Sequence, residues 1–551
     1  MIRAIRLPEC RVPQPVCSPE ILESYLEDAS GAPAGHAAGL LRLESEAEAS
    51  AYLRGSAPSG QPVLAQAARS SLTGGSIPQG EVVLSVERMR AIGPLERCGA
   101  GARVRVQPGI RLEELQEHLA SQNLFFPPVP TYQKAMLGGT VSTNAGGAAT
   151  FKYGVTRHWV RGLRVLLFNG DLLEVERGQH RAAAGGEFLV RLSDGRELSV
   201  PVPNHRLPPL KKISAGYHSA DPLDLVDLLV GSEGTLGLVT EVTLDLAPLP
   251  AAVVTGLVFP RSERTALDLA ADLRRAAESA RAREDPLGPD LRAIEFADAN
   301  CLSLLRESGA ARERRVPVPA EAGAMLLLEL ELPRAITDRQ AVESLGRLLD
   351  GKGSDGPLAR LVRILERHEA LDDLQLAFPE DGARRRALYE LREAVPLRVN
   401  ELHAQLRGRD PAVKKVGGDL IVPFERLSEA LRAYRVGFER RGLRYAIWGH
   451  LSDGNLHPNA LPRDAGEVGL GFEALLEFAE LAARLGGCPL SEHGVGRSPI
   501  KQEILRRFLG RSAVDRMKRV KGALDPPWRF APGVLFPAAP SGEASSAVAP
   551  S

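Results

Sequence analysis

Along the chain, stretches in which apolar residues return every third or fourth position alternate with short runs in which they return every second. The first spacing lines up one face of a helix, the second one face of a strand. Helical spacing starts at Pro19 and runs to about Leu53, with Ile21, Leu22, Tyr25 and Leu26 on the apolar side. From residue 63 to 249 the pattern is mixed: "VVLSV" and "RVRVQ" alternate with Gly-rich turns, and one clear helix is predicted over 112–121. Inside this stretch, "GEFLVRLSDGRELSVPV" reads as two alternating runs joined at Ser193-Asp194-Gly195, a hairpin leaving the core sheet. From 251 to about 460, helices rich in Leu, Arg and Glu (263–282, 337–349, 382–406, 423–441) alternate with the strand-like "AMLLLELEL" and "YAIWGHL". The predicted organisation is an N-terminal helical segment at 1–52, an α+β domain at 53–250, and a second α+β domain at 251–536 whose last segment packs on the first. The tail at 537–551, "PAAPSGEASSAVAPS", is too poor in apolar residues to fold and is expected to be disordered.

With 551 residues, 44% of them hydrophobic, the chain is long enough for more than one core. Lys+Arg and Asp+Glu are equal at 69 each, which leaves no cationic excess to follow a phosphate backbone, so nucleic acid is not an expected partner. The five cysteines are scattered, odd in number and form no CxxC pair. This fits a reducing compartment and argues against a cysteine-ligated zinc or iron–sulfur module in this chain. No basic-then-apolar leader and no run of about 18 apolar residues is present. A cytoplasmic protein is expected, with peripheral attachment to the inner membrane left open.

Three glycine-rich clusters carry candidate chemistry. "SSLTGG" supplies Ser70, Ser71, Leu72, Thr73, Gly74 and Gly75; "GGTVSTNAGG" supplies Gly138, Gly139, Ser142, Thr143, Asn144, Gly146 and Gly147; "GSEGTLG" supplies Glu233, Gly234 and Gly237 just before Val239. Such loops let backbone N–H groups approach a pyrophosphate with no Cβ in the way, although glycine clusters also serve simply to turn a chain. None is a GxGxxG or GxxxxGK[ST], which disfavours an ordinary Rossmann domain or P-loop. "GHLSDGNLH" places His450 and His457 across a turn, and "SEHGVG" adds Glu492 and His493. Imidazoles folded towards each other suit a divalent metal, and core histidines with satisfied hydrogen bonds show the same spacing. Arg392 in "LYELREAVP" and Lys415 in "KKVGGDLIVP" are candidate cations for a carboxylate, in a chain where most helical arginines are solvated.

"SLTGG" with the following "PQG", then "LGGTVSTNAGG", "KYGVTR" and "VGSEGTLGLVTEVTL", in this order, resemble the FAD-binding domain of the vanillyl-alcohol-oxidase (PCMH) type, in the branch that holds D-lactate dehydrogenase and glycolate oxidase subunits. The resemblance runs from about residue 63 to 536. It implies an α+β protein: an FAD-binding domain of two α+β subdomains plus an α+β cap or substrate domain. FAD would be bound non-covalently by the three loops and Tyr153. The histidine segments are similar to the family's GHxGDGNxH and EHGxG signatures, with Ser452 in place of a glycine. This similarity implies a zinc or manganese ion on His450, His457 and Glu492, His493 as general base, and Arg392 and Lys415 as substrate-binding residues. The implied reaction takes a D-2-hydroxy acid (D-lactate, D-2-hydroxyglutarate or glycolate) to its 2-oxo acid by hydride transfer to flavin N5. Electrons would pass to a quinone, a cytochrome or an electron-transfer protein rather than to NAD, and a homodimer is the implied assembly. Ala67 and Arg69 stand where the family's RGxGTSLTGG has glycines, and Ala531 and Val534 where its closing DPxxxxNPGK has Asn and Lys. Two alternatives stay open: a transferase like alkylglycerone-phosphate synthase on the same fold, and a glycolate-oxidase-type subunit active only with an iron–sulfur partner.

Overall fold

The computed structural model describes residues 1–128, 132–350, 352–353 and 355–537; the expected disordered tail, from residue 538 on, lies outside the described residues. The chain forms two layered α+β units. The first contains a parallel sheet ordered Gly39–Arg42, Val82–Ser85, Val63–Gln66, and an antiparallel sheet in which Leu238–Pro248 lies between Gly101–Val106 and Val160–Leu166. Leu238, Thr240, Val242, Leu244 and Leu246 are buried while the residues between them are partly exposed, the alternation of a sheet covered on one face. The predicted hairpin pairs Glu187–Arg191 with Glu197–Pro201, and Ile2–Arg3 adds to it in parallel.

The N-terminal segment departs from the predicted helix. Pro19–Leu22 is a single α-helical turn continued by a 3-10 turn at Glu23–Tyr25, α-helix resumes only at Glu46–Ser56, and Ile2–Arg3 and Gly39–Arg42 are strands. Gly31, Pro33 and Gly35 interrupt the helical spacing. The apolar Leu40 and Leu41 then pair alongside Val82–Ser85 instead of lining a helix.

The second unit is built on an eight-stranded sheet ordered Gln375–Ala377, Ala252–Val258, Ala324–Leu332, Asp290–Asp298, Tyr445–His450, Asn455–Ala460, Val416–Gly417, with Leu420–Ile421 also paired to Asn455–Ala460. Ala324–Leu332 is buried throughout. Ala324, Leu326, Leu328 and Leu330 enter one apolar core, Met325 and Leu327 another, which accounts for a run with no apolar–polar alternation. Helix Glu263–Ala282 covers one face. The Ser262 hydroxyl accepts the Thr265 N–H at 3.1 Å, and Ala266, Leu269, Ala270, Leu273 and Ala277 form the buried stripe. Burial of Leu269 and Leu273 contributes about 1.5–3 kcal/mol each.

After Cys488 the chain returns to the first unit, adding Leu490, Val495, Leu505, Met517 and Phe530 to its core. Phe530 bridges Val63 in parallel. The fully buried Arg529 guanidinium donates to the carbonyl oxygens of Leu53 (2.9 Å) and Phe168 (2.5 Å) and to Ser56 Oγ (2.6 Å). The second unit is thus inserted between two parts of the first. The joint is polar: Lys152 Nζ meets Asp290 and Glu331 at 2.5 Å each, and the Tyr153 hydroxyl donates to Glu331 at 2.7 Å. Among the described residues no helix is long and apolar enough to cross a membrane.

Candidate active site

A cavity of about 1490 Å³ lies where the two units meet. A pocket for one small ligand measures roughly 300–1,000 Å³, so this one has room for a dinucleotide and a small substrate together. Its wall in the first unit is made by the three glycine-rich clusters: Ser70, Ser71, Leu72, Thr73, Gly74 and Gly75; Gly138, Gly139, Ser142, Thr143 and Gly146; Glu233, Gly234, Gly237 and Val239. Ser71 Oγ accepts the N–H groups of Thr73 and Gly75, both at 3.2 Å, which shapes the first loop around small side chains. A surface of hydroxyls and bare backbone on this scale fits the diphosphate and ring of FAD.

Three residues expected at the cofactor do not line the cavity. Asn144 ends helix Leu137–Thr143 at φ +51°, accepts the Arg157 N–H and donates to the Ile213 carbonyl. The Gly147 N–H is taken by Thr150 Oγ1, and Tyr153 is engaged with Glu331 at the joint. Their neighbours in the motifs face the cavity; these three brace it from behind.

Arg69, which lines the cavity beside Ser70, has φ +55° and places its guanidinium 4.8 Å from the Tyr25 ring centre. A left-handed non-glycine residue carries roughly 1–2 kcal/mol of strain. Arg69→Gly relieves this strain but also removes the guanidinium, and it is expected to weaken FAD binding about tenfold, the loss of one charge-assisted contact of roughly 1.5 kcal/mol. Fluorescence titration with FAD checks this, and equal or tighter binding would show that the guanidinium does not serve the cofactor.

Across the cavity, strands Tyr445–His450 and Asn455–Ala460 form a hairpin in which Trp448 pairs with His457 and His450 with Asn455. Residues paired in this way share a face, so Trp448, His450, His457 and Asn459 together line the cavity. Ser452, in place of the expected glycine, is fully buried in the turn and accepts the Ile294 N–H at 3.2 Å. The loop that carries Glu492 and His493 meets this face. Glu492 Oε1 lies 3.4 Å from His450 Nε2, 3.3 Å from His457 Nε2 and 3.3 Å from His493 Nε2. Donors about 2.0–2.1 Å from a tetrahedral divalent ion are separated from one another by about 3.3–3.4 Å. Each imidazole nitrogen is spaced from Glu492 as two ligands of one ion would be, and the group whose ligand atoms lie within 4.8 Å of one another is Asp419, His457, Glu492 and His493, without the expected His450.

Buried charges set the state of these groups. Burial opposes ionisation of Glu492, but Lys212 and then His450 hold its carboxyl well below the usual range. Burial pushes the His457 imidazole down to about 4, the neutral form that ligates metals. Burial also disfavours a charged His450, but Glu295, 2.5 Å from Nδ1, raises it to about 9. Glu295 thereby favours the imidazolium of His450; only with a cation at Nε2 in place of the proton would the same carboxylate be the outer partner of a ligand imidazole. Arg392 lines the cavity, and its guanidinium pairs with Glu295 and Glu393. Lys415 is half-buried and its Nζ donates to the neutral Asn400 at 2.8 Å; burial, with Lys501 nearby, lowers its ammonium to about 8.

Two carboxylates from opposite sides grip the loop that bears Glu492 and His493. Asp419 Oδ2 accepts the N–H groups of Glu492 (2.9 Å) and His493 (2.8 Å), and Glu233 accepts those of Val495 (2.8 Å) and Gly496 (2.7 Å). Glu233 thus does more than line the cofactor space, and burial raises its carboxyl to about 7. A Cβ on Gly496, at φ +57°, would lie within 2.4 Å of the Thr73 carbonyl oxygen, so only glycine lets this loop reach the first glycine-rich loop. Sequence patterns single out neither Lys212 nor Glu295, and give Asp419 no role. None belongs to a histidine or glycine motif, and their proximity arises from tertiary packing alone.

Comparison with known proteins agrees with this architecture. The family described as FAD binding domain matches residues 37–176, and that described as FAD linked oxidases, C-terminal domain, matches residues 259–535, half of the chain. Glycolate oxidase subunit GlcD of Bacillus subtilis (strain 168) is 28% identical over 487 residues, which covers 86% of this chain and 84% of that one. D-2-hydroxyglutarate dehydrogenase of Pantoea ananatis (strain AJ13355) is 28% identical over 492 residues, 84% of this chain, which spans only 44% of that protein. Among solved structures, an alkyldihydroxyacetonephosphate synthase superposes with a TM-score of 0.54 at 15% identity over 90% of this chain and 75% of that one, a likeness of fold. An FAD-binding domain followed by a cap matched over most of its length makes this chain a member of the FAD-linked oxidases, a family of FAD-dependent oxidoreductases.

Proposed function

We propose that this chain oxidises a small D-2-hydroxy acid, of the D-lactate, D-2-hydroxyglutarate or glycolate class, to the 2-oxo acid. The reading rests on one observation: three imidazole Nε2 atoms converge on a single oxygen of Glu492, in the wall of the cavity that the FAD loops also line. FAD, held non-covalently, supplies the two-electron acceptor, and zinc or manganese on His450, His457 and Glu492 supplies a Lewis acid for the substrate hydroxyl. Lys415, whose partner is uncharged, binds and orients the substrate carboxylate. His493 takes the hydroxyl proton at Nε2 as the Cα–H bond breaks, and Asp419, 3.5 Å from Nδ1, stabilises the imidazolium that forms. Arg392 acts at one remove, by fixing Glu295 and through it His450. The names of the similar proteins, a glycolate oxidase subunit and a D-2-hydroxyglutarate dehydrogenase, support this substrate class. Electrons leave for a quinone, a cytochrome or an electron-transfer protein, or through an iron–sulfur subunit.

An anaerobic absorbance titration tests the proposal. The purified protein should show a flavin spectrum that bleaches with one or more D-2-hydroxy acids and not with their L-enantiomers. A flavin that no hydroxy acid bleaches, even with metal added, would reject the reading in favour of the transferase or the partner-dependent subunit.

A further inference from the structure

Lys212 lies outside both stretches matched to known families, in a segment with no regular secondary structure. Its side chain is nonetheless fully buried at the metal constellation. Nζ is 3.0 Å from Glu492 Oε2, 3.0 Å from Asp453 Oδ2 and 3.2 Å from Asn455 Oδ1. An ammonium this deep is tolerated only where anionic partners compensate its lost hydration.

We propose that Lys212 is a positioning residue of the metal centre, which holds Glu492 as a one-oxygen ligand and makes metal binding depend on the FAD-binding unit. The inference rests on the reading of His450, His457 and Glu492 as metal ligands. A carboxylate with both oxygens free can rotate, or chelate an ion through both. Here Oε2 is committed to Lys212, so only Oε1 faces the three imidazoles.

The path of the lysine explains other residues around the site. The Ser214 N–H donates to the Leu490 carbonyl at 3.0 Å, two residues before Glu492, and its hydroxyl to the Thr143 carbonyl at 3.0 Å. Asn144, which does not line the cavity, donates to the Ile213 carbonyl at 3.3 Å. A Cβ on Gly146 would lie 3.1 Å from Lys212 Cε, so this glycine leaves room for the lysine stem. Residues 211–214 therefore form a strap from the second glycine-rich loop to the metal-ligand loop, and Lys212 is its tip.

The test is metal affinity, measured on flavin-loaded, metal-stripped protein by competition with a chromogenic chelator for Zn²⁺ and Mn²⁺, together with the visible spectrum of the Co²⁺-loaded form. Lys212→Met is expected to bind metal about 10–100-fold more weakly, the usual penalty for losing an outer-shell partner, and to change the cobalt spectrum as Glu492 becomes free to use both oxygens. Because Lys212→Met strands the Asp453 carboxylate, the double variant Lys212→Met/Asp453→Asn is measured alongside and should show the same weakening. Wild-type affinity, or tighter binding, in either variant with its flavin retained overturns the proposal while leaving the metal reading intact. A wild-type protein that binds none of the three ions overturns both.

Discussion

Replacing His493 by alanine is expected to slow reduction of the bound flavin by a hydroxy acid about 10²–10⁴-fold, the contribution of a positioned general base, with the flavin still bound. The separation of the two effects follows from the loop's anchoring. Its backbone is held by Asp419 and Glu233 through the N–H groups of residues 492, 493, 495 and 496, none of which the substitution removes. The imidazole itself projects to Glu492 at 3.3 Å and stacks on His457 with ring centres 5.0 Å apart. Stopped-flow reduction under anaerobic conditions, with flavin content measured on the same sample, decides the matter. A variant reduced within tenfold of the wild-type rate would remove His493 from the proton transfer.

The second large effect is expected at Asp419, a buried carboxylate surrounded by donors. Besides the two backbone N–H groups, its Oδ1 accepts from the Asn455 amide at 3.2 Å and from the Ser491 hydroxyl. Asp419→Asn changes little in size but turns one acceptor into a donor that faces other donors. Hydrogen bonds to a charged group are worth about 1.5–3 kcal/mol each, so the loss of two predicts a fall in kcat/KM of about 10²–10⁴-fold. Bound metal should be lost in parallel, since His457 and Glu492 would no longer be held in register. An Asn variant with full metal content and near-normal turnover would mean that the loop is fixed by something other than this carboxylate.

How much of this was legible in the residues themselves varies by feature. Helix 263–282 was predicted with the observed bounds because its cap, Ser262, and its apolar stripe agree. His450, His457, Glu492 and His493 stand in short segments with their own spacing, and packing brings them together. Lys212 and Glu295 gave no such signal, since each is an ordinary charged residue whose role depends on a partner 280 or 155 positions away, and Asp419, four residues after Lys415 in "KKVGGDLIVP", meets its partner 74 positions away. Arg392 shows the converse. Its type and setting suggested a cation for a carboxylate, and only packing shows that Glu295 and Glu393 of the protein itself lie against it. The N-terminal helix failed because Gly31, Pro33 and Gly35 break the helical spacing, and Leu40 and Leu41 pair beside Val82–Ser85 instead.

The return of the chain to its first core also orders events during synthesis. Arg529 bonds to a carbonyl 476 positions earlier. At about 5–20 residues per second, roughly 24–95 s separate the emergence of these two residues from a ribosome. Throughout that interval the parallel strand at Val63 lacks its neighbour Phe530, while the inserted unit, whose strands all lie between them, can already fold. The nascent chain must therefore keep an unfinished first core from aggregating until the segment around Phe530 is translated.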